Sequence, residues 1–155
     1  MGLTKIRFHL EVDEDGWPPA ESEGLWAEPL GDGRFRVDNT PWFVRGISAE
    51  DTVKAAPGAD GVLWFMETLE RSGHQTIRVI PRTDGPLNGD QQLVLDAFAP
   101  LGVAGEGFSQ ALRIVALDID RDADLAAVKK LCIDGEADGR WHYEEGSVTS
   151  EWLAI

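Results

Sequence analysis

A glycine-rich turn between two alternating segments most constrains how this chain can fold. The turn Leu30–Gly33 separates residues 24–30 from residues 33–39, and its glycines adopt the positive φ angles of a tight hairpin without a Cβ penalty. After the turn, polar and apolar side chains alternate strictly, so that Phe35 and Val37 share one face. The pattern predicts an antiparallel hairpin within a curled sheet.

Other segments of the first half also alternate and predict further strands. In the first of these segments, Val12 falls on the same apolar face as Ile6. Residues 62–70 carry large apolar groups on both faces, which predicts a central position in the sheet. With no helical pattern in this half, we expect a small barrel or a strongly bent sheet. The predicted strands besides the hairpin are residues 4–12, 52–56, 62–70 and 75–81.

The second half has two segments with helical spacing among its strands. The predicted helices are residues 91–98 and 125–133, the second ended by Gly135–Gly139, and the predicted strands are residues 103–106, 110–117 and 140–145. Counting from the strand at 75–81, the order is strand, helix, strand, strand, helix, strand. This order is typical of ferredoxin-like domains with a split βαβ arrangement.

The predicted fold class is therefore α+β. A small bent β-sheet or barrel-like module precedes a ferredoxin-like split βαβ module. At 155 residues and 17.0 kDa, the chain is one domain or two small modules that share a core. We expect an all-β module over residues 1–80 and an α+β module over residues 75–155, with the strand at 75–81 shared.

Acidic residues outnumber basic ones by 28 to 14, which gives a net charge of −14. The excess is spread along the chain and repels phosphate backbones, so the charge disfavours nucleic-acid binding. One interpretation of this charge is solubility. The other is an acidic face that docks on a basic partner.

The sequence also indicates a cytoplasmic location. It has no apolar run of about 18 residues, no signal peptide and no basic leader. Its single cysteine, Cys132, excludes an internal disulfide and a cysteine-based zinc cluster. Cys132 lies in an apolar helical pattern, which favours a buried, inert thiol. No membrane association is expected.

No metal site is predicted. Aspartates recur at every second position in Asp118–Asp124, as they do at the start of a calcium loop. The glycine required at the sixth position is Ala123, and the closing glutamate at the twelfth is Lys129. Acidic residues before a helix are favoured in any case by its dipole.

No complete catalytic constellation is visible either, and no cofactor is expected. His142 and Glu144 share a strand face and could do acid–base work, although a polar strand face explains them equally. Ser72-Gly73-His74 lacks the Gly-x-Ser-x-Gly setting of a nucleophile elbow. No glycine-rich phosphate loop occurs.

The tryptophans are many for a chain of this length, and they number six. Trp17, Trp26 and Trp42 border loops of the first module and could line a groove between the modules. Tryptophan is enriched at interfaces, but it also serves in cores and as cover for sheets. The tryptophan pattern leaves both roles open.

Several segments of the chain resemble one protein family. They are Lys5–Phe8, Trp17–Pro19, Leu25–Asn39, Val44–Ser48 and Glu70–His74. These residues are similar to a family of short, acidic bacterial proteins, largely actinobacterial, that is known only as a domain of unknown function. The resemblance implies no activity, cofactor or catalytic residue. It directs attention to strand-end residues, and a site there would bring together Asp38, Asn39, Arg45 and His74.

The leading functional hypothesis is a non-enzymatic binding protein, of the immunity or antitoxin type, that docks on a basic protein surface. The alternative is a small-molecule binder or enzyme that uses the cleft between the modules, with Asp38, Arg45 and His74 as its polar groups. A third option is a structural subunit whose self-association buries tryptophans. The sequence leaves the partner and the oligomeric state open.

Overall fold

The chain divides after Gly73 into two structural units in the computed structural model, which describes residues 2–109 and 111–155. The first unit contains β1 (Thr4–His9), β2 (Ser22–Gly31), β3 (Arg34–Val37), β4 (Thr52–Pro57) and β5 (Leu63–Glu70). The second contains β6 (Gln75–Pro81), α1 (Gln91–Phe98), a single 3-10 turn (Ala99–Leu101), β7 (Ala104–Phe108), β8 (Ile114–Ile119), α2 (Leu125–Ala137), β9 (Trp141–Ser147) and α3 (Ser150–Leu153).

The five strands of the first unit form a closed barrel in the order β1-β2-β3-β4-β5. Consecutive strands pair antiparallel, whereas β1 and β5 pair parallel through Ile6–Leu63 and Arg7–Trp64. A meander with an odd number of strands returns in the direction in which it began, so its closing pair must be parallel. Alternating side chains fill the interior, among them Ile6, Phe8, Leu25, Ala27, Val37 and Val53. The barrel module and the mixed α+β class agree with the fold expected from the sequence.

Two details of the first unit differ from the sequence-based expectation. The first strand ends at His9 instead of residue 12, and Val12, expected on the buried face, is 45% exposed. The chain leaves the sheet early because the following segment makes its own turn. The strand at 62–70 is not more central than its neighbours, since closure gives each barrel strand two partners. Its Met66 is 55% exposed.

The second unit is built on a four-stranded sheet in the order β7-β8-β6-β9. All neighbouring strands in it are antiparallel. Strand β6 lies inside this sheet, and the barrel closes without it. The core contains Ile77 and Val79 of β6, Val115 and Leu117 of β8, and residues of the helices such as Val94, Phe98, Val128 and Cys132.

Side-chain caps set the beginnings of the two longer helices. Asp90 accepts a hydrogen bond from the Gln92 N–H at 2.9 Å, and Asp124 accepts one from the Ala127 N–H at 3.1 Å. A capping carboxylate satisfies a donor that has no partner within the helix. The last member of the aspartate run therefore begins α2.

Some boundaries of the second half also differ from those predicted. The helix expected to end near residue 133 continues to Ala137 and passes through Gly135. Strands predicted at 103–106 and 110–117 lie at 104–108 and 114–119, and residue 110 itself is outside the described residues. The segment expected to be a tail contains α3, whose Trp152 is fully buried.

Contact with Trp141 explains why α2 contains a glycine. The Trp141 indole is fully buried, and its Nε1–H donates to the Cys132 carbonyl at 3.1 Å. A Cβ added at Gly135 would overlap the same indole. The missing side chain therefore makes room for the tryptophan, at the cost of about 1 kcal/mol of helix propensity relative to alanine.

We expect Gly135→Ala to lower the free energy of unfolding by about 1–3 kcal/mol in urea denaturation, because overpacking against Trp141 outweighs the gain in helix propensity. Ala126→Gly, at an exposed site of the same helix, measures the propensity contribution alone. Stabilisation by Gly135→Ala would show that the packing argument is wrong.

Candidate functional site

The connection between β1 and β2 concentrates negative charge. This acidic loop, residues 10–21, carries five acidic side chains and no lysine or arginine. All five are exposed, namely Glu11, Asp13, Glu14, Asp15 and Glu21. The chain contains no basic residue between Arg7 and Arg34 apart from His9. The loop therefore presents carboxylates that no neighbouring cation in the sequence neutralises.

Hydrogen bonds within the acidic loop hold it in a defined conformation. The Asp13 carboxylate accepts the backbone N–H groups of Asp15 and Trp17, each at 2.9 Å. The Asp13 N–H donates to the Trp17 carbonyl at 2.8 Å, and the Leu10 N–H donates to the Glu21 carbonyl at 2.9 Å. Such side-chain-to-backbone bonds are the usual way an aspartate orders a turn.

A second loop supplies aromatic side chains beside the first. This Trp42 loop, residues 38–48, follows β3. The Phe43 and Trp17 rings meet edge to face, with centroids 5.8 Å apart and an interplanar angle of 78°. Both rings and that of Trp42 are half-buried, so part of each remains at the surface. The two loops thus form an aromatic and acidic surface within the first unit.

The buried carboxylate of Glu23 anchors the Trp42 loop. It accepts three consecutive backbone N–H groups, from Trp42 at 2.6 Å and from Phe43 and Val44 at 2.9 Å each. Glu23 is only 7% exposed. Sequence reasoning missed this residue, although a signal was present. Glu23 lies in phase with Leu25 and Ala27 on the inward face of β2, where an acid needs hydrogen-bond partners.

Three of the predicted site residues come together at the end of β3. The Asn39 Oδ1 accepts the Trp26 N–H at 3.0 Å, and the Asp38 N–H donates to the Trp26 carbonyl at 2.8 Å. These bonds continue the pairing of β2 and β3 beyond the last ladder residue. The Trp26 side chain itself points outward and is 45% exposed. Asn39 therefore has a structural role here.

The remaining predicted site residues belong to different units. Arg45 lies exposed in the Trp42 loop of the first unit, whereas His74 begins the second unit. His74 is buried, and its Nδ1 lies 2.8 Å from the Asp118 Oδ1. The structure thus links Asp38 and Asn39 through Trp26, and it links His74 to Asp118 within the second unit.

Glu144 and the aspartate run Asp118–Asp124 have structural contacts in the second unit. Glu144 pairs with the Arg78 guanidinium at 2.6 Å, and that Arg78 side chain is 2% exposed. Asp120 accepts the Asp122 N–H at 3.3 Å. Among the described residues, no group of three or more His, Cys, Asp or Glu side chains is placed to hold a metal ion. No helix within residues 2–109 and 111–155 is long and apolar enough to cross a membrane.

The geometry now defines an α+β protein with a barrel unit, a four-stranded sheet unit and an acidic, aromatic loop surface. Residues 23–143 match the model of a family described as "Domain of unknown function (DUF4265)". The chain belongs to this family, which confirms the resemblance to a family of unknown function.

A solved structure shares the fold. It is described as a novel crystal structure of a hypothetical protein from Neisseria gonorrhoeae, and it superposes with a TM-score of 0.74. The identity is 18%, and the likeness covers 96% of each chain. At this identity the likeness shows the fold alone. No curated protein matches the chain.

We expect Glu23→Gln to lower the free energy of unfolding by about 2–3 kcal/mol, because the amide loses the charge-assisted bonds and turns an N–H group toward backbone donors. Chemical denaturation measures the loss, and hydrogen exchange should accelerate at the amides of Trp42–Val44. Glu21→Gln, an exposed neighbour on the same segment, is the control. Equal effects of the two substitutions would contradict the anchoring role.

Burial raises the pKa of the Cys132 thiol to about 12, and the charges of Glu145 and Glu136 contribute. At pH 8 such a thiol contains roughly a thousandfold less thiolate than an unperturbed one, so the native protein should react very slowly with a disulfide reagent. The same protein unfolded in guanidinium should react promptly. Fast labelling of native protein would contradict the buried, inert assignment.

Proposed function

We propose that this protein is a non-enzymatic binding protein that docks on the basic surface of a protein partner through its acidic loop. The observation that carries the proposal is the loop itself, with five exposed carboxylates, no lysine or arginine, and a conformation held by Asp13. Pre-ordering matters because a loop that is already fixed loses little conformational entropy on binding.

The charge of the whole molecule supports the same function. Each unit contains fourteen acidic and seven basic residues, 14 − 7, hence a net −7 in each. Several of the cations are already paired with acids of the same chain, as in Arg36–Glu28, Arg82–Asp84 and Arg140–Asp138. A field of this sign accelerates encounter with a basic protein, up to about 10⁸–10⁹ M⁻¹s⁻¹ at low salt.

The aromatic side chains beside the loop supply the apolar part of such an interface. Trp17 and Phe43 pack on each other and stay partly at the surface, and Val12 is 45% exposed. Binding energy in protein interfaces concentrates in aromatic anchors surrounded by polar groups. An immunity or antitoxin protein that occludes a basic surface would use this combination of carboxylates and aromatic rings. A cytoplasmic location is also part of the proposal.

We also propose a ferredoxin-like classification for the second unit. The strand order β7-β8-β6-β9, with every neighbouring pair antiparallel, supports it. So does the chain order of strand, helix, strand, strand, helix, strand.

Removal of the loop charges tests the function. The triple variant Glu11→Gln, Glu14→Gln, Asp15→Asn neutralises three carboxylates and leaves the Asp13 hydrogen bonds in place. The matched control is Glu70→Gln, Glu106→Gln, Asp122→Asn, which changes the net charge equally at exposed sites elsewhere. Each protein is immobilised, used for affinity isolation from the native host, and compared by quantitative mass spectrometry, followed by calorimetry with the purified partner.

We expect the native protein and the control to retain one basic protein in near-stoichiometric amount, and the loop variant to bind it at least about tenfold more weakly. The affinity should fall as salt rises, because exposed charges are screened. Equal retention by the two triple variants, or retention of a small molecule alone, would overturn the proposal.

A further inference from the structure

A strip of opposite charge runs along the outside of the barrel. We call it the basic strip, and it consists of Lys5, Arg7 and His9 of β1, Gly24 and Trp26 of β2, and Trp64 and Met66 of β5. The β1 members alternate with the buried Ile6 and Phe8, so their side chains are directed away from the core. No acidic residue belongs to this strip.

The missing side chain at Gly24 leaves room for the Lys5 and Arg7 side chains to lie close to the sheet. In the register of β1 and β2, Lys5 lies opposite Trp26 and Arg7 lies opposite Gly24. A Cβ added at Gly24 would lie 2.8 Å from both the Arg7 Nη1 and the Lys5 Cδ. Both side chains therefore cross over the glycine.

Further contacts fix the charged groups and rings of the strip. The Lys5 Nζ lies 4.6 Å from the centroid of the Trp26 ring, a cation–π distance. The Arg7 Nη2 donates to the Ser22 Oγ at 2.6 Å. On the other side, the His9 and Trp64 rings stack with centroids 4.1 Å apart and an interplanar angle of 9°.

The cations of the strip lack acidic partners. Within residues 2–109 and 111–155, neither Lys5 nor Arg7 forms an ion pair. The next outward acid on β2, Glu28, pairs instead with Arg36 at 2.6 Å. In a protein with twice as many acids as bases, the strip thus keeps an unneutralised positive charge. The strip also exposes apolar surface, because Trp26 is 45% and Met66 is 55% exposed.

We propose that the basic strip binds an acidic peptide segment of a partner protein. Its carboxylates pair with Lys5 and Arg7, and its apolar side chains pack on Trp26 and Met66. Basic side chains are the usual receptors for acidic motifs. The strip lies on the face of a closed barrel, which has no free strand edge to pair with, so side chains provide the contacts.

The charge of the protein favours a peptide over the other occupants. A nucleic acid brings one phosphate per nucleotide toward a molecule of net charge −14, which repels it. A second copy of this chain brings a further −14. A short segment with a few carboxylates meets the local positive charge and adds much less long-range repulsion. This inference is independent of the acidic-loop function, because it concerns another surface with the opposite sign.

The test uses a capped synthetic peptide in which glutamate alternates with leucine, titrated into the intact protein. Indole and backbone resonances followed by two-dimensional NMR give the location and the affinity. Lys5→Gln and Arg7→Gln remove the charges one at a time, and Gly24→Ala keeps both charges but displaces their side chains. Lys54→Gln, on the exposed side of β4, is the control with the same change in net charge.

We expect saturable binding that perturbs the Trp26 and Trp64 indoles. Lys5→Gln and Arg7→Gln should each weaken it about tenfold, consistent with the loss of a charge-assisted contact. Gly24→Ala should weaken it several-fold, whereas Lys54→Gln should leave it unchanged. Thermal unfolding of each variant shows whether the barrel remains intact. If a charge variant is unstable, the affinity of the Gly24→Ala protein for the peptide decides the test.

Three results would overturn the inference. One is equal weakening by Lys5→Gln and Lys54→Gln, which would indicate a bulk charge effect. Another is binding of single-stranded oligothymidylate, or of a lysine-for-glutamate peptide, at least as tightly as the acidic peptide. The third is concentration-dependent dimerisation that Arg7→Gln abolishes, which would make the occupant a second copy. The acidic-loop triple variant should bind this peptide with the affinity of the native protein, because the two surfaces are independent.

Discussion

The bonds of the buried Glu23 carboxylate support much of the first unit. A carboxylate removed from water is destabilising unless hydrogen bonds replace its hydration, and here three consecutive backbone N–H groups do so. Fixing residues 42–44 places the Phe43 ring, on which Trp17 packs. The conformation of the acidic loop at Trp17 therefore depends in part on an acid within the barrel.

A second buried carboxylate has a similar role farther along the chain. Asp51 is fully buried and accepts the N–H groups of Ser48 at 2.9 Å and Ser72 at 2.8 Å. Glu23 thus ties the middle of the Trp42 loop to the barrel, and Asp51 ties its last residue. Irregular segments lack the ladder bonds of a sheet, so side chains must satisfy their buried N–H groups. These two acidic side chains are buried within the fold, whereas those of the acidic loop are exposed.

Two surfaces of opposite charge lie on one small barrel. The acidic loop lies in the connection between β1 and β2, and the basic strip lies on the outside of the same two strands and of β5. Local contacts order each region, namely the hydrogen bonds of Asp13 in the loop and the close approach of Lys5 and Arg7 to Gly24 in the strip. Both proposed binding roles rest on these two groups of charges.

Local patterns in the sequence determined most of the secondary structure, and tertiary packing decided the rest. Alternation around Gly31–Gly33 predicted the hairpin, and helical spacing predicted residues 91–98, because both signals are local. The sequence predicts that the helix ends at Gly135, whereas the approach of Trp141 shows why a glycine lies inside α2. The partners of Glu23 are about twenty residues away along the chain. His74, just before β6, contacts Asp118 of β8. Such contacts depend on how distant segments are brought together, and no periodicity within one segment encodes them.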